Sequence, residues 1–161
     1  MVEPIYVYTD GASRGNPGPG GYGVILKCGP HYKELSAGYR RTTNNRMELL
    51  AVITGLEAIK RRNADVRVYS DSAYVVKAIN EKWIDKWLQK GLYKQKNPDL
   101  WERFLNVYKR HNVSFYLIKG HSGHPENERC DKLAVEAALS GNLLEDEGYR
   151  EEKVENHETI F

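Results

Sequence analysis

Apolar and polar positions alternate with a period of two at the start of the chain, where Ile5, Val7 and Thr9 interleave with Tyr6, Tyr8 and Asp10. This is the pattern of a strand rich in β-branched and aromatic residues. The alternation stops at Asp10. Glycine and proline crowd residues 11–23, so the sequence predicts tight turns there, with backbone exposed beside a carboxylate at a strand end. Residues 22–27 and 32–39 read as two more strands, joined by Cys28-Gly29-Pro30-His31 at the spacing of an antiparallel hairpin. The period then changes. Thr42, Thr43, Asn44 and Asn45 supply N-cap chemistry ahead of a run of helix formers over residues 46–62, whose closing basic residues suit a helix C-terminus. Leu49, Val52, Ile53, Leu56 and Ile59 share one face, and Met47, Leu50, Ala51 and Ala58 make the other sides apolar too. A helix apolar nearly all round is a central, buried one.

The second half repeats the theme. Residues 66–70 form another strand pattern, and its ending Tyr69-Ser70-Asp71 echoes Tyr8-Thr9-Asp10. Helices follow over residues 72–80, 82–89 and 98–110, the last with Pro98 in its first turn. Residues 113–118 make a final strand, the loop KGHSGH comes next, and a helix opens at Pro125 and closes before Gly141. Strands alternating with helices over 161 residues, without repeat, low-complexity segment or linker, predict one α/β domain. Two of its strands deliver an aspartate at their carboxyl ends, where open α/β sheets place their sites.

Charge changes the picture by its distribution. The formal net charge is +2, but residues 145–161 carry seven acidic and two basic side chains, leaving 22 Lys+Arg against 15 Asp+Glu elsewhere. The sequence therefore divides into a basic body, residues 1–144, and an acidic, flexible tail, residues 145–161. A basic body suits a polyanion partner, although solvated faces are also built of lysine and arginine. The first residues hold no basic n-region and no long apolar run, which predicts neither signal peptide nor spanning helix and a cytoplasmic protein without a membrane partner. Cys28 and Cys130 lack metal-ligand spacing and read as buried reduced thiols.

Asp10, Glu48, Asp71 and Asp131 come from two strand ends and two helices that can converge on one edge of the sheet. Glu48 is the exception in an apolar stretch, where an ionised carboxylate is costly unless paired or bound to a cation; read alone, it also suits a cap facing solvent. Two like charges about 4 Å apart cost ~4 kcal/mol at an effective dielectric near 20, so such a gathering calls for divalent cations. All-oxygen ligation favours Mg²⁺, with Mn²⁺ as a substitute, over zinc. His121, in a glycine-flanked loop, suits proton relay or no role at all. Trp83 and Trp87 stand four apart among Lys82, Lys86 and Lys90, a pattern that fits either a nucleic-acid face or core packing with lysines reaching outward.

Five motifs, TDGASRGNPGPGGYG, TTNNRMELLAVITGLEAI, YSDSAYV, KNPDLW and KGHSGHPENERCDKLA, occur in that order. Together they resemble the bacterial-type (type 1) ribonuclease H family from about Ile5 to Tyr149. The resemblance implies an α/β ribonuclease H-like fold, a five-stranded mixed β-sheet with helices on both faces, over a catalytic domain spanning residues 1–144. It implies a largely sequence-independent endoribonuclease that hydrolyses the RNA strand of RNA·DNA hybrids and leaves 5′-phosphate products. Asp10, Glu48, Asp71 and Asp131 match the family's metal-binding carboxylates, serving two ions, and His121 its aid to proton transfer or product departure.

Substrate contacts carry over on the same terms. Ser13, Asn16, Asn44 and Asn45 resemble minor-groove readers, whose small polar groups suit 2′-hydroxyls. Arg41, Thr43 and Asn97 match a pocket for a phosphate of the DNA strand; Trp83, Lys86 and Trp87 are substrate-contact candidates from the interleaving of aromatics and lysines alone. Ala73 departs from a polar family position, as do Leu88, Gln89 and Leu92 from basic or aromatic ones, which points to weaker hybrid affinity. The chain begins at its first strand, so no N-terminal hybrid-binding module is expected, and neither is an obligate protein partner: the reading is of a monomer. A hybrid-binding module without cleavage and another nuclease or strand-transfer enzyme of the superfamily are the alternatives. The intact carboxylates argue against the first, and the TTNNRMEL and GHPENERCD contexts against the second.

Overall fold

The computed structural model describes residues 3–119 and 123–150. Its five strands are β1 (Ile5–Ser13), β2 (Gly18–Cys28), β3 (His31–Thr42), β4 (Asp65–Ser70) and β5 (Asn112–Leu117). Its helices are α1 (Asn44–Glu57), α2 (Ala73–Asn80), α3 (Trp83–Lys90), α4 (Pro98–Tyr108) and α5 (Pro125–Ala138). The sheet runs β3-β2-β1-β4-β5, antiparallel across the first three strands and parallel from β1 to β4 and β4 to β5. This is the five-stranded mixed sheet that the motifs imply. No helix among the described residues is long and apolar enough to cross a membrane.

Asp10 does not end its strand. It pairs with Gly23 of β2, and β1 continues to Ser13; only the parallel ladder to β4 stops beforehand, at Thr9 and Ser70. Gly15, at a left-handed φ of 92°, turns the chain between β1 and β2 as predicted, but Gly11 and Gly23 serve close approach instead. A Cβ on Gly11 would collide with the backbone of Met47 and Glu48, and one on Gly23 with the carbonyl of Cys130. Because successive strand residues face opposite sides, Gly11 admits the first turn of α1 on one face and Gly23 admits α5 on the other. Two absent side chains therefore bring Glu48 and the Cys130-Asp131 turn to the flanks of Asp10.

α1 is the buried centre expected of its composition, with every residue from Arg46 to Ile53 buried. Thr43 caps it, its hydroxyl accepting from the Arg46 N–H at 3.2 Å. The helix ends sooner than the sequence suggests: Ala58 caps it, and the Ile59 N–H reaches back only three residues, to Leu56. Asn63 then takes a left-handed φ of 52° and donates to the Arg110 carbonyl, so the basic run 60–62 lies on a turn toward β5. Beneath α1, Val7, Val24, Val66, Val68 and Phe115 meet Leu49, Val52, Ile53 and Leu56, with Trp101 and Phe104 of α4 closing the side. Truncating such a buried leucine to alanine typically costs about 2–5 kcal/mol.

On the opposite face, α5 is tied to the sheet by Arg129 to Glu34 at 2.8 Å, Lys27 to Glu126 at 3.0 Å, and the Cys130 thiol to the Tyr8 carbonyl at 3.3 Å. Both cysteines are free, Cys130 buried and Cys28 half-buried. Burial pushes the Cys130 thiol up, which keeps it protonated and able to donate.

Residues 144–146 are joined to the body. Leu144 exchanges backbone hydrogen bonds with Gly38 and Arg40 beside β3, and Glu145 pairs with Arg40 at 2.7 Å. Asp146 is held against α1 by Arg46 and Thr42. Opposite charges on the body thus hold the first acidic residues of the segment.

Candidate metal centre and nucleic-acid interface

Three carboxylates predicted far apart in sequence meet at one sheet edge. One oxygen each from Asp10, Glu48 and Asp71 lies within 4.8 Å of the others. β1 supplies the first, the opening turn of α1 the second, and the residue after β4 the third. Asp10 and Glu48 are 7% and 5% exposed, whereas Asp71 is open to solvent. Asp131, half-buried on α5, stands outside the group of three, but its charge acts on Asp10. The Gly11 N–H donates to Asp10 Oδ1 at 2.9 Å.

This arrangement is electrostatically unfavourable by itself. Burial first, then the charges of Asp71 and Asp131, push Asp10 up to about 8. Glu48 is raised well above the usual carboxylate range, again by burial first and then by Asp10 and Asp71. Glu48 Oε2 is buried with no hydrogen-bond partner among the described residues. An orphaned acceptor among converging acids, with only oxygen donors around it, fits a hard divalent cation.

The residues matched to substrate contacts fall into two groups around the same turn of α1. Asn16, exposed in the turn between β1 and β2, accepts from the Asn44 N–H at 3.0 Å. This ties the hairpin bearing half-buried Ser13 to the helix start bearing exposed Asn44 and Asn45. On the other side lie exposed Arg41 at the end of β3, the cap Thr43, and Asn97 at a left-handed φ of 58° before α4. Trp83 and Trp87 are half-buried against the core, and the Trp87 ring meets Trp101 edge-on at 5.4 Å; Lys86 is exposed. One side of Trp87 thus packs on the core, while the rest of the ring stays partly exposed beside Lys86. His121 lies outside the described residues.

Sequence reasoning missed Arg46. It is 1% exposed, and its guanidinium reaches both oxygens of Asp99 at 2.9 and 2.7 Å, both of Asp146 at 2.7 and 2.9 Å, and Asn97 Oδ1 at 3.2 Å. Burial opposes its charge, and the hydrogen bonds and charges of the two aspartates more than offset that. Burial likewise opposes ionisation of Asp99, but Arg46 holds its carboxyl below the usual range. The signal available was a second charge, two residues before Glu48, in the same apolar helix.

The description RNase H belongs to the family model that matches residues 3–139. A protein named ribonuclease H from Desulforamulus reducens is 57% identical over 147 residues, covering 88% of this chain and 92% of its own. Among solved structures, LC9-RNase H1, described as a type 1 RNase H with the type 2 active-site motif, is 32% identical with a TM-score of 0.77. The match covers 86% of this chain and 73% of that one. LC11-RNase H1, solved in complex with an RNA/DNA hybrid, is also 32% identical, with a TM-score of 0.62 and coverage of 83% and 96%.

Proposed function

The chain belongs to the type 1 ribonuclease H family, and from that membership we propose that it is an endoribonuclease cutting the RNA strand of RNA·DNA hybrids. The observation that carries the reading to this chain is the acid cluster with its orphaned Glu48 oxygen. An inert duplex binder gains nothing from four acids beside a phosphate backbone. Asp10, Glu48, Asp71 and Asp131 are the residues that would hold Mg²⁺, or Mn²⁺ in its place. The cluster would thereby gain the positive charge it lacks, and a cation held there would supply Lewis-acid stabilisation to a phosphoryl displacement. Cleavage in this manner leaves a 5′ phosphate.

The chain's own groups divide the remaining work. The Gly11 N–H fixes the Asp10 carboxylate by a hydrogen bond to Oδ1. His121 moves a proton or assists product departure. Ser13, Asn16, Asn44 and Asn45 recognise the minor groove, where 2′-hydroxyls distinguish the RNA strand. Arg41, Thr43 and Asn97 take a phosphate of the DNA strand, which selects the hybrid over duplex RNA, and Trp83, Lys86 and Trp87 border that strand. Contacts to sugar and phosphate rather than base edges give little sequence preference.

End-labelled RNA·DNA hybrid, duplex RNA and duplex DNA, each with Mg²⁺ or with chelator, test the reading. Metal-dependent loss of the hybrid's RNA strand alone is expected, with 5′-phosphate ends. Hybrid binding without cutting in either Mg²⁺ or Mn²⁺ would overturn it in favour of a binding module.

A further inference from the structure

Donor and acceptor accounting around Arg46 singles out Tyr74, on the first turn of α2. Arg46 has donors only, so the Asn97 atom facing it at 3.2 Å is the carbonyl oxygen. The Asn97 amide nitrogen therefore points the other way, donating to the Tyr74 hydroxyl oxygen at 3.1 Å. The indole N–H of Trp101, a residue wholly buried, donates to the same oxygen at 2.9 Å. With both acceptor directions filled, the hydroxyl proton of half-buried Tyr74 must point elsewhere, and no acceptor for it lies among the described residues. Thr43 is conditioned similarly, its hydroxyl accepting from the Arg46 N–H at 3.2 Å.

We propose that the Tyr74 hydroxyl is a further phosphate-binding group of the DNA-strand pocket, a donor set outward by Asn97 and Trp101, with Arg46 as the positioning residue behind it. The ligand is a phosphodiester oxygen: a group that can only donate selects an acceptor, and an anionic one most strongly. This rests on the hybrid-cleaving reading above. Asn97 keeps a second amide hydrogen, so one phosphate can take hydrogen bonds from both residues. Arg46 contributes by fixing which end of Asn97 faces Tyr74, and it does so without touching the nucleic acid.

The test uses the full chain, wild type and Tyr74→Phe, with hybrid binding measured in chelator so that nothing is cut. A series of hybrids carries one neutral methylphosphonate at successive positions of the DNA strand. Tyr74→Phe is expected to weaken ordinary hybrid about threefold to tenfold, the scale of one hydrogen bond to a charged group partly open to water. At one position the methylphosphonate costs the wild type a similar factor and costs the variant nothing more, while at every other position the two losses multiply. Wild-type affinity in the variant, or multiplying losses at every position, would overturn the role of Tyr74 while leaving hybrid cleavage intact. A wild type that binds no hybrid would overturn the substrate reading and this proposal with it.

Because Tyr74→Phe removes an acceptor from two donors, a second measurement uses the wild type alone. With isotope-labelled tyrosine, the Tyr74 ring carbon bearing the hydroxyl is expected to shift on binding ordinary hybrid and to stay in place with the methylphosphonate hybrid. An equal shift with both would overturn the proposal.

Discussion

Arg46 and Glu48, two residues apart in the opening turn of α1, enter two acid clusters of opposite character. Glu48 joins Asp10 and Asp71, and burial plus mutual repulsion raises Asp10 and Glu48. Arg46 joins Asp99 and Asp146 with four hydrogen bonds and adds a fifth to Asn97, and Asp99 falls. Both clusters gather carboxylates from other elements around the same helix turn; the guanidinium makes the difference. The first stores unfavourable charge that a divalent cation relieves, and the second clamps the helix start, α4 and residue 146 into one body. Function and stability are thus neighbours of opposite sign.

Asp10→Asn breaks the first cluster and gives the largest effect: hybrid cleavage in Mg²⁺ falls on the order of 10³-fold, the equivalent of ~4 kcal/mol of transition-state stabilisation. The same variant is expected to melt higher than wild type in chelator at pH 8, because it removes a repulsive buried charge. Arg46→Ala breaks the second cluster in the other direction. Leaving two carboxylates around a vacated guanidinium costs about 3 kcal/mol, seen as a melting point lowered by roughly 6–12 °C. Arg46→Lys recovers less than half of this, since an ammonium cannot hold two carboxylates bidentately.

Two pH profiles sharpen the contrast. The folded chain holds a proton on Asp10 that the unfolded chain gives up near its ordinary 3.8. Metal-free stability therefore declines as pH rises from about 4 to about 8, by on the order of 2 kcal/mol once the solvent beside Asp71 is allowed for, and Asp10→Asn flattens the decline. Asp99 has the opposite sign: its folded carboxyl ionises below the ordinary value, so its contribution is present above that value and is lost as pH falls through the folded one. Asp99→Asn is expected to cost about 1 kcal/mol at neutral pH in denaturant unfolding, with the difference from wild type vanishing in acid.

The strands and the buried helix were legible because burial imposes local periodicity: Ile5 to Thr9 alternate, and α1 is apolar all round. Glu48 was legible as a charge in an apolar stretch, and Asp10 and Asp71 as aspartates closing two matching strand patterns. What escaped was non-local. Gly15 turns the chain as its type suggests, yet Gly11 and Gly23 lie in paired strands, where α1 and α5 press on them. Arg46 finds Asp146 one hundred residues away, and no local pattern announces such a pair, so an acidic residue of the body was assigned to the tail.

Melting of the wild type and Asp10→Asn at pH 8, each with saturating Mg²⁺ and with chelator, tests the central contrast most directly. Mg²⁺ is expected to raise the wild type by several degrees and leave Asp10→Asn nearly unchanged, while Asp99→Asn responds as the wild type does. No rise in the wild type, or an equal rise in Asp10→Asn, would contradict the assignment of the cluster as a metal centre.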